Sequence, residues 1–265
     1  MMNTVRDIVR NRWVVISTAS GLAIIACAAG WAVLTNKPEE VEIARYATST
    51  RGRTRSQVEN VRRCAASLDG TVIAPGEVFS FLDVVGPWTA DRGYVKAPVS
   101  YDGELVRSWG GGVCQASTTL YNAALLANLE IVERHHHFWP ARYAPLGRDA
   151  AVAHEQIDLK IRNTLDRPVR VRCDMRADML VCRLLSDVQS KPSVRIETRV
   201  LSVTQPATVL QDASGSGIER LRFINRGQPG FTVTTYRVTD DSREGTCEVI
   251  SEDTYPVMNR VVRAL

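Results

Sequence analysis

Lysine is scarce in this chain, and arginine supplies most of the positive charge. Only four of the 33 basic residues are lysines, the arginines are spread along the chain, and the formal net charge is +4. No basic block of the kind that binds a phosphate backbone is present, so nucleic acid is excluded as an expected partner. Six arginines between Arg45 and Arg63 form one local cluster. We interpret it as a solvated helix face, with contact to anionic lipid or wall polymer as the alternative.

Long apolar runs are also scarce, and the one that occurs lies near the N-terminus. Residues 13–34 carry no charged side chain and are just long enough to span a bilayer. Arginines precede this run, so the positive-inside rule places residues 1–12 in the cytoplasm and the C-terminal domain outside it. We expect a single-pass cell-membrane protein with a linker at residues 35–44. A cleaved signal peptide and a lipoprotein lipidated at Cys27 are the alternatives.

Close pairs of metal ligands are the third scarce feature. Dedicated zinc sites usually have paired ligands on two elements, and only His135 and His137 form such a pair here. Together with Cys114 and Asp149 they offer donors that would suit zinc in principle. The spacing favours a site without a metal, and we expect no cofactor.

Six cysteines occur, of which Cys27 lies in the predicted membrane segment. The other five would lie outside the cytoplasm, where disulfides persist. Cys173 and Cys182 belong to two strand-like runs joined by a short turn, so a hairpin could place them opposite each other. A second bridge could join Cys64 and Cys247, which would leave Cys114 as the unpaired thiol. The alternative is that all five are reduced.

The segment at residues 110–122, GGGVCQASTTLYN, places a lone cysteine between a glycine loop and a helix-forming run. Glycine adopts backbone conformations closed to other residues, and residues 115–129 have the composition of a buried helix. Cys114 is therefore predicted at a helix N-terminus. There, free amides and the helix dipole favour the thiolate, and the amides could form an oxyanion hole. A structural cysteine beside a tight turn is the alternative.

A cysteine nucleophile needs a base and a group that orients the base. Histidines occupy positions 135 to 137 in a β-prone stretch, where alternation would put His135 and His137 on one face. His137 is the preferred base and His135 the second choice. Asp149 is predicted to orient the imidazole, and Arg148 to bind a substrate carboxylate with its planar guanidinium.

Four segments follow one another in the order and spacing of the VanW family. They are PGEVFSF at 75–81, GGGVCQASTTLYN at 110–122, ERHHH at 133–137 and GRDA at 147–150. The resemblance extends from about Tyr46 to Leu185, and residues 157–163 resemble the strand that follows the Gly-Arg-Asp turn in that family. The chain departs from the pattern at His136 and Phe138, where the family more often has proline and serine.

The resemblance implies an extracytoplasmic bacterial cell-wall domain from a family named for glycopeptide-resistance clusters. Some members are cysteine-dependent L,D-transpeptidases that cross-link peptidoglycan, so it also implies that activity, with peptidoglycan stem peptides as partners. Residues of the loop and the first helical turns are then predicted to contact the substrate: Gly111, Gly112, Gln115, Ser117 and Thr118. The alternative is a non-catalytic peptidoglycan-binding or accessory protein linked to glycopeptide resistance.

The predicted fold class is α+β, in which the helix that carries Cys114 packs on a mostly antiparallel sheet. A VanW-like domain is expected at residues 45–186 and a small β-rich C-terminal extension at residues 187–265. With 45% apolar residues, the chain can bury one substantial core plus a small appendage. No chemistry is recognised in the extension, which we interpret as a packing or wall-binding appendage.

Overall fold

The structure is a computed structural model. It describes residues 39–101, 104–153, 156–188, 193–211, 221–240 and 245–264. The predicted membrane segment at residues 13–34, with Cys27, lies outside the described residues. Within the described ranges, no helix combines the length and apolar character that crossing a bilayer requires.

Helices and strands alternate in the first half of the described chain, and strands alone follow in the second. The helices are α1 (Arg55–Leu68), α2 (Phe81–Val85) and α3 (Val113–Leu126). The strands are β1 (Val41–Ser49), β2 (Val72–Ile73), β3 (Val78–Ser80), β4 (Lys96–Tyr101), β5 (Glu104–Trp109), β6 (Glu130–Glu133), β7 (Lys160–Arg162), β8 (Val169–Arg176), β9 (Met179–Ser186), β10 (Val194–Thr204), β11 (Thr208–Gln211), β12 (Leu221–Asn225), β13 (Gly230–Thr239), β14 (Thr246–Tyr255) and β15 (Arg260–Ala264).

The core lies between helices α1 and α3 and a four-stranded sheet of order β1-β9-β8-β2. Every second side chain of β8 and β9 is buried over most of their length, as expected for a sheet with one face on the core. A three-stranded sheet of order β3-β7-β6 and the hairpin β4-β5 complete this part. Adjacent strands here are antiparallel, so the predicted α+β arrangement is confirmed for the described residues.

Helix α1 begins with a capping box that its sequence encodes. The Thr54 hydroxyl accepts a hydrogen bond from the backbone N–H of Gln57 at 3.3 Å. In return, the side-chain oxygen of Gln57 accepts one from the backbone N–H of Thr54 at 3.0 Å. Val61, Cys64 and Leu68 lie on its buried face. The cap therefore fixes where the chain turns from β1 into α1. Arg53 directly precedes the cap and lies in this turn.

From Val194 onward, the regular elements of the described residues are all strands. Strands β10, β13 and β14 form one antiparallel sheet, and β11, β15 and β12 form another in which β11 and β15 run parallel. Val41–Leu265 packs as one compact unit. The polypeptide on both sides of Ser186 thus belongs to one body, and the domain boundary predicted there stays a prediction.

The predicted disulfide between Cys173 and Cys182 is confirmed. The two residues are direct partners across β8 and β9, with Cα atoms 4.3 Å apart. The second predicted bridge is wrong, because Cys64 is buried on α1, where its Sγ contacts the Tyr94 hydroxyl at 3.7 Å, and Cys247 is exposed on β14. Cys114 is unpaired, as predicted.

Removing the disulfide is expected to lower the free energy of unfolding by about 2–3 kcal/mol, because the bridge closes a loop between cysteines 9 residues apart. Denaturant unfolding of a Cys173→Ala/Cys182→Ala variant, without reductant, measures this loss. Cys247→Ala is the control, because its exposed side chain should change stability by about 0.5 kcal/mol or less. Equal stability of the double variant and the parent would contradict the expectation.

Candidate functional site

Two glycines of the loop position Cys114 by fitting closely against the protein. Gly112 is the N-cap of α3 with a φ of 111°, and a Cβ there would lie 2.6 Å from the carbonyl oxygen of Gln57. A Cβ on Gly111 would lie 2.7 Å from the carbonyl oxygen of Pro98. Both glycines therefore permit close packing that a larger residue would prevent. Their predicted contact with substrate stays a prediction.

Cys114 is the second residue of α3 and is half-buried with a free thiol. The thiol donates to the carbonyl oxygen of Val152 at 3.4 Å. The backbone N–H of Val113 donates to the carbonyl oxygen of Gly110 at 2.9 Å, and that of Gln115 donates to the carbonyl oxygen of Gly112 at 3.0 Å. Of the first-turn amides, the Cys114 N–H is therefore the one left to bind an oxyanion.

His137 joins Cys114 to Asp149. Its Nδ1 lies 2.6 Å from Oδ2 of Asp149, and its backbone N–H donates to the same oxygen at 2.7 Å. The carboxylate thereby fixes the tautomer and orientation of the ring, so that Nε2, which lies 3.4 Å from the Tyr143 hydroxyl, is the ring nitrogen that can exchange a proton with the thiol. The imidazole and the Cys114 thiol influence each other's charge, since His137 acts to lower the pKa of the thiol and Cys114 acts to raise the pKa of the imidazole. The structure thus brings together three residues that sequence reasoning selected.

The electrostatics of this line favour an ion pair of thiolate and imidazolium. Burial alone would raise the pKa of Cys114, but the hydrogen bond and positive charge of His137 bring it below its ordinary value. Burial opposes the charged form of His137, yet Asp149 and Cys114 raise its pKa to about 10. Burial likewise opposes ionisation of Asp149, whose bond to His137 lowers its pKa to about 2. The thiolate, which is the nucleophilic form of sulfur, is therefore more accessible at neutral pH than in an ordinary cysteine.

Polar side chains inside α3 hold the Asp149 segment against the helix. Ser117 donates to the carbonyl of Ala150 at 2.7 Å, and the Thr118 hydroxyl accepts from the Ala150 amide at 2.9 Å. Asn122 donates to the carbonyl of Arg148 at 2.7 Å. Because these side chains are buried, such bonds are needed to offset their desolvation. Ser117 and Thr118 thus bind their own chain, and substrate contact by them stays a prediction.

The C-terminal sheet supports the other oxygen of Asp149. The hydroxyl of Tyr255, at the end of β14, donates to Oδ1 at 2.5 Å. Arg134 donates to the same oxygen at 3.3 Å and to the Asp149 carbonyl at 2.6 Å. Its Nη1 lies 2.6 and 2.7 Å from the two carboxylate oxygens of Asp253 on β14. The extension therefore helps to hold the orienting carboxylate, which sequence reasoning missed.

His135 lies away from the thiol. Strand β6 ends at Glu133, and His135 forms only an isolated bridge with Ala151, so strand alternation does not continue to His137. The His135 ring is 45% exposed and contacts the Glu133 carboxylate at 3.1 Å. The expectation that His135 and His137 share a face is wrong, because one ring contacts Glu133 and the other binds Asp149. Among the residues that the structure describes, no group of three His, Cys, Asp or Glu side chains could hold a metal.

Arg148 is engaged within the protein. Its guanidinium lies 5.4 Å from the centre of the Tyr46 ring, and its Nε donates to the Asn122 side chain. Burial lowers its pKa. Its predicted contact with a substrate carboxylate stays a prediction, and these partners do not favour it.

Sequence reasoning also missed Arg53 and Tyr143. The Arg53 guanidinium lies 4.6 Å from the centre of the Tyr143 ring, and the Tyr143 hydroxyl is 3.4 Å from Nε2 of His137. The Arg53 Nε donates to Gln115 Oε1 at 3.2 Å. Arg53 is half-buried near the thiol. The interpretation of the arginine cluster as a solvated helix face is therefore wrong for this residue. No local signal distinguishes it from its neighbours, because its position depends on how β1 meets α3.

Residues 56–185 match the family described as VanW like protein. The chain contains a VanW-like domain. Its relatives include the uncharacterized protein YoaR of Bacillus subtilis, 36% identical over 145 residues that cover 55% of this chain and 48% of that protein. The Vancomycin B-type resistance protein VanW of Enterococcus faecalis is 30% identical over 146 residues, 53% of this chain and 53% of that protein. The chain thus spans about half the length of the curated relatives it matches.

A crystal structure of HP0197-G5 also matches, with 16% identity and a TM-score of 0.18, over 29% of this chain and 100% of that chain. This likeness is too weak to support a conclusion. The VanW-like domain holds Cys114, His137 and Asp149, whereas Arg53, Asp253 and Tyr255 lie outside the matched residues. The site is therefore assembled from the domain and from both of its flanks.

Proposed function

We propose that this protein is a cysteine-dependent acyltransferase that acts as an L,D-transpeptidase on peptidoglycan stem peptides. The observation that carries the proposal is that Asp149 binds the His137 imidazole at 2.6 Å, while this imidazole lowers the pKa of Cys114 at the start of a helix. Such a line supplies a thiolate, a proton carrier and an orienting carboxylate. The VanW-like domain supports the substrate class, and one relative is named as a vancomycin resistance protein.

The reaction proceeds in two steps in which each proton passes through His137. The Cys114 thiolate attacks the carbonyl carbon that precedes the terminal D-amino acid, and the oxyanion accepts a hydrogen bond from the Cys114 amide. The imidazolium then protonates the departing amine, the C–N bond breaks and a thioester remains. The amine of a second stem attacks the thioester, passes a proton to His137 and releases the thiolate. Water as acceptor would instead give a carboxypeptidase.

We place this reaction outside the cytoplasm. The predicted membrane anchor at residues 13–34 supports that location, and so does the disulfide between Cys173 and Cys182, because disulfides persist in oxidising compartments. A link to glycopeptide resistance is part of the same proposal. It is supported by the likeness to the Enterococcus relative.

Intact-protein mass spectrometry after incubation with a purified stem tetrapeptide tests the activity. We expect a mass increase equal to the tetrapeptide minus its terminal amino acid, and loss of this adduct when an amine acceptor is added. Cys114→Ala should form no adduct, whereas Cys247→Ala, which removes an exposed thiol, should form it normally. Binding of the stem without any adduct would favour the non-catalytic accessory protein instead.

A further inference from the structure

Arg53 is a half-buried cation near Cys114, and it has no acidic partner in the part of the chain that the structure describes. It follows the end of β1 and precedes the Thr54 cap of α1, so the turn between the two elements carries it to the site. No carboxylate of the described chain forms an ion pair with it, and of its nitrogens only Nε has a hydrogen-bond acceptor there, Gln115. Its charge therefore has no carboxylate partner among the described residues, which is a condition suited to an anionic ligand.

Neighbouring side chains hold the guanidinium in place. Gln115 donates to the Thr48 hydroxyl at 3.0 Å and to the Ser49 carbonyl at 2.9 Å, and this anchors the amide oxygen that binds Arg53. The Tyr143 ring covers one face of the guanidinium at 4.6 Å. Both Nη groups remain for an incoming ligand.

The charges around Arg53 point the same way. Burial lowers the pKa of Arg53, while Tyr143 and Cys114 act to raise it and Arg142 adds to the lowering. A second positive charge near the guanidinium strengthens its attraction for an anion. Tyr143 itself stays protonated, since burial raises its pKa well above the ordinary value, so the phenol does not supply that anion.

We infer that Arg53 binds the free carboxylate of the terminal D-residue of the stem, the residue that leaves when the thioester forms. The planar guanidinium fork matches a carboxylate, and in a terminal residue this carboxylate is attached to the same carbon as the departing nitrogen. The ligand must therefore lie close to the thiolate, as Arg53 does. The identity of the substrate rests on the proposed function. Arg148, whose guanidinium is engaged by Asn122 and Tyr46, is the less suitable cation.

The test compares a stem tetrapeptide that ends in a free acid with the same peptide ending in an amide. Binding is measured by calorimetry on Cys114→Ala protein, which needs no turnover, and acylation is measured by mass spectrometry on protein with the thiol intact. The free acid should bind about 10- to 100-fold more tightly, as expected for a charge-assisted pair. Arg53→Gln should abolish this preference without weakening binding of the amide, and Arg53→Lys should retain part of it.

Arg55→Gln is the matched control, because Arg55 is an exposed arginine two positions away. Equal binding of acid and amide, or a preference that survives Arg53→Gln in a folded variant, would overturn the inference. Acylation without any acid preference would leave the transpeptidase proposal standing and remove the role of Arg53. If the acid preference depends on Arg53 but no acylation occurs, the role of Arg53 stands and the transpeptidase proposal fails. If neither peptide binds and no acylation occurs, both proposals fail.

Discussion

His137→Ala is expected to reduce kcat/KM for stem acylation by about 10²- to 10⁴-fold, the range typical of a general acid–base. In the proposed reaction, the imidazole lowers the pKa of the thiol and carries the proton to the leaving amine. Once it is removed, burial remains and raises the pKa of the thiol, so a smaller fraction of the sulfur is ionised. The variant should therefore have less of the Cys114 thiolate, and it should lack the group that delivers a proton to the leaving amine.

The pH dependence gives this prediction a second measurement. In the parent, alkylation of Cys114 should follow a pKa below the ordinary thiol value, and in His137→Ala it should follow one above it, because burial raises the pKa when the cation is gone. Acylation by the parent should fall at low pH, where the thiolate takes up a proton. It should also fall above about pH 10, where His137 loses the proton that the departing amine needs.

His135→Ala is the control for this experiment, because its exposed ring contacts Glu133 rather than the thiol. We expect its acylation rate and its alkylation profile to match those of the parent. A loss as large as that of His137→Ala would show that the assignment of the base is wrong. Peptide mapping assigns the alkylated thiol, since Cys247 is exposed, whereas Cys64 is buried with a pKa raised by burial to about 12.

Asp253→Ala is expected to lower the free energy of unfolding by about 3–5 kcal/mol, the range for removal of one member of a buried ion pair. The Arg134 side chain is only 6% exposed, and its Nη1 donates to both oxygens of Asp253. Without that carboxylate, a buried guanidinium loses its bidentate partner and keeps Asp149 as its remaining acidic partner among the described residues. Denaturant unfolding measures the loss.

Two comparisons make this measurement specific. Glu130→Ala breaks an exposed ion pair with Arg162, and its cost should be about 1 kcal/mol or less. The double variant Arg134→Met/Asp253→Leu removes both buried charges and should be more stable than Asp253→Ala alone. A single variant that costs no more than Glu130→Ala would contradict the buried pair seen in the structure.

Local sequence determined those parts of the protein that depend on neighbours along the chain. Glycines 110 to 112 and the Ala- and Leu-rich run after them were sufficient to predict a buried helix with Cys114 at its start, because backbone freedom and helix-forming composition are local properties. The Cys173–Cys182 bridge was predictable for the same reason, since a short hairpin places the two cysteines opposite each other. Cys64 and Cys247 lack such a local relation, and pairing them failed.

Only the tertiary structure decided which side chains surround the thiol. Strand β6 ends at Glu133, so the His135 ring contacts Glu133 while the His137 ring binds Asp149, although both histidines fit a strand pattern. Tyr255 reaches Asp149 from 106 residues away, through the packing of a separate sheet. Arg53 reaches the site because β1 packs against α3. Contacts between distant segments depend on how buried faces fit together in three dimensions, and no pattern within either segment encodes that fit.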